Sequence, residues 1–486
     1  MPRDQQVAGP VSFPPFASFR DPSGHVIHVG GRILRVVLAH DAGNTRAFLD
    51  STSAAQLAFS GRLVTSRVVP RAEAEELLGP QGVSLAGGMV LEHERVMFPS
   101  YPYEWAPPML RAAGQLTLDL ARAVLPAGFG LKDATPWNVM FLGARPVFVD
   151  ISSFERRDPF DARWLAHDQF VRTFALPLAA SSAFGLRLQE VFLASREGLS
   201  VERVYAMSGL LRRLRPPLLT LATLPVWMAR HSRRSDSSVY KPQRVRSPDA
   251  ARFILMHLLN GLGRSLKRCR GAAPVRSPWR DYAGAGGTAA DARDAKLQFV
   301  REVLRERGPA RVLDVGCNAG YVSVEAARLG ASVVAIDRDP EMVGAAWRVA
   351  SDAGADVLPL VVDIANPSPA TGWNGLEHYS FFDRASGAFD VVLMLAVLHH
   401  LLVTERIPLA EVVALAARLT SDVAVIEFVA PEDANFKRLL RGRDELYRGL
   451  TIDAFETACA AHFRVLRRLD LPGGTRRIYA LKRVDR

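Results

Sequence analysis

The strongest constraint on the fold lies in residues 291–486, where helical and strand periodicities alternate without a break. AKLQFVREVLRER carries apolar residues at helical spacing, RVLDVG is a short apolar strand, and YVSVEAARLG is a helix closed by glycine. SVVAID, EMVGAAWRVASDAG and LPLVVDI repeat the alternation, followed by FDVVLMLAVL, LAEVVALAARL and VAVIEFV. Strand and helix in turn predict a parallel sheet with helices on both faces. The tail departs from this alternation. There FRVLRRLDL, the turn PGGT and RRIYALKR predict an antiparallel hairpin. The expected class is α/β, a doubly wound sheet with that hairpin at its end.

Ligands of such sheets bind outside the carboxyl ends of the strands. The first end carries VLDVGCNAGY, in which Gly316 and Gly320 permit a tight turn and close approach of a ligand to the backbone. The helix behind it offers N–H groups. Asp314 precedes the turn and repels phosphate, and Asn318 stands where a dinucleotide fingerprint has its middle glycine. Asp337 ends the second strand, where a carboxylate can accept from both ribose hydroxyls. Asp363 ends the third, placed for an exocyclic amine, with Ile364 beside the ring. An amino acid, a ribose and an adenine without phosphate describe S-adenosylmethionine (SAM). This pattern resembles the class I SAM-dependent methyltransferases. The resemblance implies a seven-stranded Rossmann-like sheet with SAM across its first four strands. It puts Asp314, Gly316, Cys317, Asn318 and Gly320 around the methionine part, Asp337 and Arg338 at the ribose, Asp363 and Ile364 at the adenine, and Leu395 in the same crevice.

The fourth strand runs into His399 and His400. A histidine of near-neutral pKa can take a proton from a hydroxyl as its oxygen attacks the sulfonium methyl, and the sequence does not separate the two. Glu427, in VIEFV, is a candidate for acceptor binding or a structural acid. Trp279 and Tyr282, in SPWRDYAG, are candidates to cover the SAM pocket or to pack in the core. The expected reaction is methyl transfer to an oxygen of a small molecule or glycan-type metabolite from a biosynthetic pathway.

Residues 130–155 read GLKDATPWNVMFLGARPVFVDISSFE. This resembles the catalytic segment of the aminoglycoside-phosphotransferase-like kinases, which implies Asp133 orienting an acceptor hydroxyl, and Asn138 with Asp150 holding Mg on ATP. FRDPSGHVIHVGGRILRVV reads as two strands around a turn, and GMVLEHERVMFP as strands leading to a hinge. The departures are specific. Leu131 and Lys132 precede the aspartate where the family has His before Gly-Asp or Arg-Asp, the lysine position of the third strand offers only Arg35, and the glycine-rich loop is poor. Residues 1–230 are therefore expected to form a degenerate, kinase-like α+β domain that supports the methyltransferase or binds its substrate. SYPYEW, 100–105, together with LKDATPWN, resembles bacterial two-part proteins that join this region to a methyltransferase. The rival expectation is a bifunctional enzyme that phosphorylates its substrate and then methylates it.

Residues 231–290 are expected to be a basic linker around one helical stretch, ARFILMHLLNGLGRSL. Much of the net charge of +11 sits in RHSRRSDSSVYKPQRVR and GRSLKRCRG, which suits nucleic acid or an anionic membrane. No nucleic-acid-binding module accompanies it, and a solvated linker is the expected role, with a nucleic-acid methyltransferase as a further rival. LLTLATLPVWMA, 218–229, is too short to span a bilayer and contains Pro225, so a buried helix is expected. A segment resting on a membrane surface, flanked by Arg212, Arg213, Arg215 and Arg230, is the alternative. Cys269, Cys317 and Cys459 lack metal-like spacing, which argues for a reducing, cytoplasmic setting. The first residues, MPRDQQVAGPVSFPPF, lack the charged head and apolar run of a secretory signal. A fragment starting near residue 275 is expected to bind SAM by itself.

Overall fold

The computed structural model describes residues 20–231, 243–269, 288–308 and 310–484, apart from 82, 84 and 86. Trp279 and Tyr282 lie outside the described residues. The predicted hairpin near the start is present as β1 (Gly24–Val29) and β2 (Arg32–Val37), turning at Gly30 and Gly31 with φ of 56° and 80°. With β3 (Ser66–Val69) and β4 (Met89–His93) it forms an antiparallel sheet in the order β1-β2-β4-β3. GMVLEHERVMFP thus supplies one strand, β4, rather than several. Two small ribbons follow, built from β5 (Phe129–Leu131), β6 (Val139–Leu142), β7 (Arg145–Phe148) and β8 (Phe154–Arg156), with β5 pairing β8 and β6 pairing β7. The helix Pro107–Val124 opens on two prolines, which suit a first turn whose N–H groups have no helical partner. Helix Pro248–Arg268 buries Leu255, Leu259, Leu262 and Leu266, and Leu259 accepts a hydrogen bond from Arg122 of the first helix at 2.8 Å. The helical stretch inside the basic region therefore belongs to the N-terminal core.

The C-terminal sheet has seven strands: β9 (Arg311–Val315), β10 (Ser332–Asp337), β11 (Val357–Val361), β12 (Phe389–Met394), β13 (Thr420–Val429), β14 (Phe463–Asp470) and β15 (Arg476–Arg483). Their order is β11-β10-β9-β12-β13-β15-β14. The first five run parallel, and β15 is antiparallel to both its neighbours. The apolar runs of β9, β11 and β12 are almost wholly buried, as strands covered on both faces must be. Strand order reverses between β9 and β12, which opens a crevice at their carboxyl ends. The strands stop earlier than the sequence pattern predicts. β11 ends at Val361 and β12 at Met394, so Asp363 and Leu395 stand in the loops just beyond.

The two parts share one continuous apolar core. Trp105, Met109 and Leu110 belong to the same buried cluster as Val334, Leu358 and Leu360. A Cβ built on Gly344 would lie 3.2 Å from the Pro108 ring, so the helices Pro107–Val124 and Pro340–Ala353 meet closely there. At the centre of the seam, Glu104 pairs with Arg384, their side chains 0% and 2% exposed. Arg384 Nη1 donates to Glu104 Oε2 at 3.1 Å and to the Pro99 carbonyl at 2.6 Å, and Ser368 also donates to Glu104. The guanidinium lies 4.8 Å from the Tyr101 ring and 4.9 Å from that of Phe98. Nearby, the His378 ring is 4.4 Å from Trp137 and 4.9 Å from Tyr101, and burial drives its pKa down to about 4. SYPYEW thus grips the segment that joins β11 to β12.

LLTLATLPVWMA is buried on one face only. It splits into a π-helical turn, Leu219–Thr223, and a helix, Leu224–His231. Leu221, Ala222 and Val226 are buried, whereas Leu224, Trp227 and Met228 are exposed. No helix among the described residues is long and apolar enough to cross a membrane.

Candidate functional site

The loop after β9 is shaped by its glycines. Gly316, Asn318 and Gly320 have φ of 73°, 51° and 79°, a region that glycine enters freely and asparagine tolerates. Space is as restrictive as conformation. A Cβ on Gly316 would lie 2.5 Å from Val397 Cγ2, and one on Gly320 would lie 2.9 Å from the Ala346 Cβ. The glycines are needed for the loop's own packing against the residues after β12 and the helix Pro340–Ala353, in addition to any ligand. Gly316→Ala is expected to destabilise the protein by about 2–4 kcal/mol, adding a clash to left-handed strain. Val397→Ala in the same chain should restore the clash part, which denaturant titration of the two variants would measure.

The acids converge on this loop. Asp314 is buried and accepts a hydrogen bond from Ser323 at 2.6 Å. Burial pushes its carboxyl up to about 6; the Ser323 bond opposes the shift and the Asp337 charge adds to it. Asp337 accepts from the Asn318 N–H at 3.0 Å and from the Asp339 N–H at 2.9 Å, so it also clamps the loop. Burial raises its pKa against those backbone donors. Among the described residues no ion pair offsets Asp314. Two mutually repelling carboxylates, one buried and one half-buried, fit a ligand that brings an ammonium and hydroxyls, and they disfavour one that brings phosphate. Asp363 accepts from the Ala365 N–H at 3.0 Å, and Ile364 beside it is buried. Arg338 is exposed and pairs with Glu405 at 3.0 Å. Cys317 is buried in the apolar cluster against which Leu395 packs, its thiol pushed well above the usual range by burial. The donor set thus fits SAM best at Asp314, Asp337, Asp363 and Ile364.

At the tip of β12, Ala396 holds a left-handed φ of 54°, strained for a residue with a Cβ, and the helix Leu398–Val403 follows. His399 is buried; its ring lies 6.4 Å from Phe436, and its Nδ1 has no hydrogen-bond partner among the described residues. Burial lowers its pKa to about 3. His400, 4.2 Å away ring to ring, is half-buried and lowered to about 4 by burial and then by Arg338 and Arg476. Both imidazoles are neutral at physiological pH. Glu427 is fully buried between two cations, Lys296 at 2.7 Å and Arg476 at 3.2 Å. Arg476 also forks onto Asp433 at 2.8 and 3.0 Å and, outweighing burial, helps hold that carboxyl down at about 2. Sequence reasoning missed Ser323, Val397, Lys296, Asp433 and Arg476. A lysine amid the apolar residues of AKLQFV was the one available hint.

Asn138 and Asp150 come together in a closed network, with Asp133 within reach of the Asp150 charge and hydrogen-bonded to Gln169 instead. Asn138 Nδ2 donates to Asp150 at 3.2 Å and to Ser153 at 3.0 Å, and Ser152 donates to Asp150 at 2.6 Å. Arg35 pairs with Asp150 at 3.0 Å and with Asp21 at 2.8 Å. Burial alone would raise the Asp150 carboxyl, but Arg35 and the hydroxyls outweigh it and hold it low. Burial and the Asp150 charge raise Asp133. A guanidinium therefore stands against the carboxylate that would bind magnesium. The residues do not fit an ATP–magnesium site in this arrangement, and no phosphoryl-transfer step is drawn through them.

A family model described as a methyltransferase domain matches residues 289–470. The nodulation protein NoeA of Rhizobium meliloti (strain 1021) is 33% identical over 496 aligned residues, which cover 100% of this chain and 97% of that protein. The ubiquinone biosynthesis O-methyltransferase of Xanthomonas euvesicatoria pv. vesicatoria (strain 85-10) is 33% identical over 131 residues, 26% of this chain and 47% of that relative. The SAH-bound crystal structure of magnesium protoporphyrin IX methyltransferase from Synechocystis PCC 6803 aligns over 42% of this chain and 92% of its own, with 21% identity and a TM-score of 0.31.

Proposed function

The chain belongs to the family of the nodulation protein NoeA and is a SAM-dependent methyltransferase; from that premise we propose that it methylates an oxygen of a small molecule or glycan-type metabolite, with His400 as the base. When bound, SAM supplies an electrophilic methyl on its sulfonium. Asp314 would face the ammonium, Asp337 the ribose hydroxyls, and Asp363 with Ile364 the adenine. The acceptor hydroxyl would lie at the tip of β12, where His400 takes its proton.

The observation that carries this reading is the pair of neutral imidazoles on the helix Leu398–Val403, which follows the strained Ala396 and Val397, the residue packed against Gly316. Of the two, His400 is half-buried, while His399 is sealed against Phe436. A neutral imidazole accepts a proton without first losing one. Its low pKa makes it a modest base, so the contribution belongs near the lower end of the usual range of about a hundred- to ten-thousandfold. Positioning supplies the rest. Oxygen as the acceptor atom is supported by the similarity to the ubiquinone-pathway O-methyltransferase.

His400→Ala is expected to lower kcat about a hundredfold and leave KM within a few-fold. Steady-state kinetics with the acceptor would read this, and full turnover in both His399→Ala and His400→Ala would remove the base. We assign residues 1–230 a supporting role, as a kinase-like scaffold that braces the methyltransferase through the Glu104–Arg384 seam.

A further inference from the structure

Three short helices, Val201–Met207, Leu210–Arg213 and Leu224–His231, and the turn Leu219–Thr223 fold into one knob. Thr223 Oγ1 donates to the Arg213 carbonyl at 2.7 Å, Trp227 Nε1 donates to the Tyr205 hydroxyl at 3.3 Å, and the Arg213 guanidinium lies 3.9 Å from the Tyr205 ring centroid. Val204, Leu218, Leu221, Ala222 and Val226 are buried in the knob. Its outer side is apolar as well. Leu210 is 78% exposed, Leu211 75%, Met228 71%, Leu214 57% and Trp227 42%. Leu224, Trp227 and Met228 recur at i, i+3 and i+4, so they share one helical face. Several exposed large apolar side chains gathered on one knob of this kind mark an interaction site.

Interleaved with it are arginines. Residues 201–229 contain Arg203, Arg212, Arg213 and Arg215 against a single acid, Glu202. Arg203, Arg212 and Arg215 are exposed.

We propose that this knob docks on a membrane surface containing anionic phospholipid. The leucines and Met228 enter the boundary between headgroups and chains, Trp227 lies at that boundary, and the arginines meet the lipid phosphates. Two observations favour a bilayer over a folded partner. Leu210 and Leu211 are adjacent on one turn, so their side chains diverge by about 100°; a protein would need separate cavities for them, and a fluid phase needs none. The excess of arginine over acid complements a negative headgroup layer and has no preferred geometry to satisfy. The proposal is independent of the methyl-transfer chemistry.

The test is cosedimentation of the full-length protein with phosphatidylcholine vesicles, with and without phosphatidylglycerol. Binding is expected with phosphatidylglycerol at low salt, about tenfold or more weaker without it. Leu210→Ser/Leu211→Ser/Leu214→Ser should lower the partition coefficient at least about a hundredfold, with thermal unfolding unchanged. Arg212→Gln/Arg215→Gln should lower it about tenfold and flatten the salt dependence. Brominated-lipid quenching of tryptophan fluorescence, diminished in Trp227→Phe, reads insertion directly and decides the matter if the leucine variant misfolds. The proposal is overturned if the parent protein ignores anionic vesicles, if the triple serine variant binds as well as the parent, or if Trp227 is unquenched. A leucine-dependent dimer in gel filtration without vesicle binding would overturn it in favour of self-association.

Discussion

Glu104→Ala is expected to destabilise the protein by about 3–5 kcal/mol, because it strands a buried guanidinium without its counter-charge. The Arg384 side chain is 2% exposed, and its remaining partners are the Pro99 and Ser380 carbonyls and the rings of Tyr101, Phe98 and Phe381. Those rings soften the loss, which places it toward the lower end of the range. The urea midpoint should fall with little change in slope. Replacing both partners by leucine should recover most of the stability, since apolar pairs of similar volume often match a buried ion pair. The same seam bears on the fragment starting near residue 275. Such a fragment loses Glu104 and the apolar cover of β11 together, so the expected product is aggregated and does not titrate with SAM. A soluble, monodisperse fragment with the affinity of the full chain would show that the seam is dispensable.

The second large effect is at the ribose position. Asp337→Ala should weaken SAM binding about a hundredfold or more, since two charge-assisted hydrogen bonds contribute about 1.5–3 kcal/mol each. Part of the loss comes from the loop itself, because Asp337 also holds the Asn318 N–H. Asp337→Asn keeps an acceptor for that N–H and should fall between the two. Isothermal titration with SAM measures all three proteins. Equal affinity in the alanine variant would show that the ribose lies elsewhere.

The C-terminal sheet was legible because its information is local. Each strand of VLDVG, VVAID and VLPLV is an apolar run ended by a turn, and alternation with helices leaves few topologies. The glycine loop was legible for the same reason, since Gly316, Asn318 and Gly320 lie within five residues. The seam was not. Glu104 and Arg384 are 280 residues apart, and each reads locally as an ordinary solvent-facing charge. Glu427 was visible as an acid at a strand end, but its two cations come from a helix 131 residues earlier and a strand 49 residues later. Arg35 was noticed only as a poor substitute for lysine; that it closes on Asp150 depends on bringing β2 against the turn after β7.

β11 is one of the two outer strands of the methyltransferase sheet, yet all five of its residues are buried. An outer strand normally defends itself with lysine, proline or a bulge. This one has Pro359, and the Pro102–Glu104 turn packs beside it together with the helix Pro340–Ala353. The N-terminal half therefore covers part of that strand's surroundings. An exposed outer strand of this composition would offer unpaired backbone groups to strands of other molecules, so the seam gives the sheet a neighbour at the margin where it is least defended.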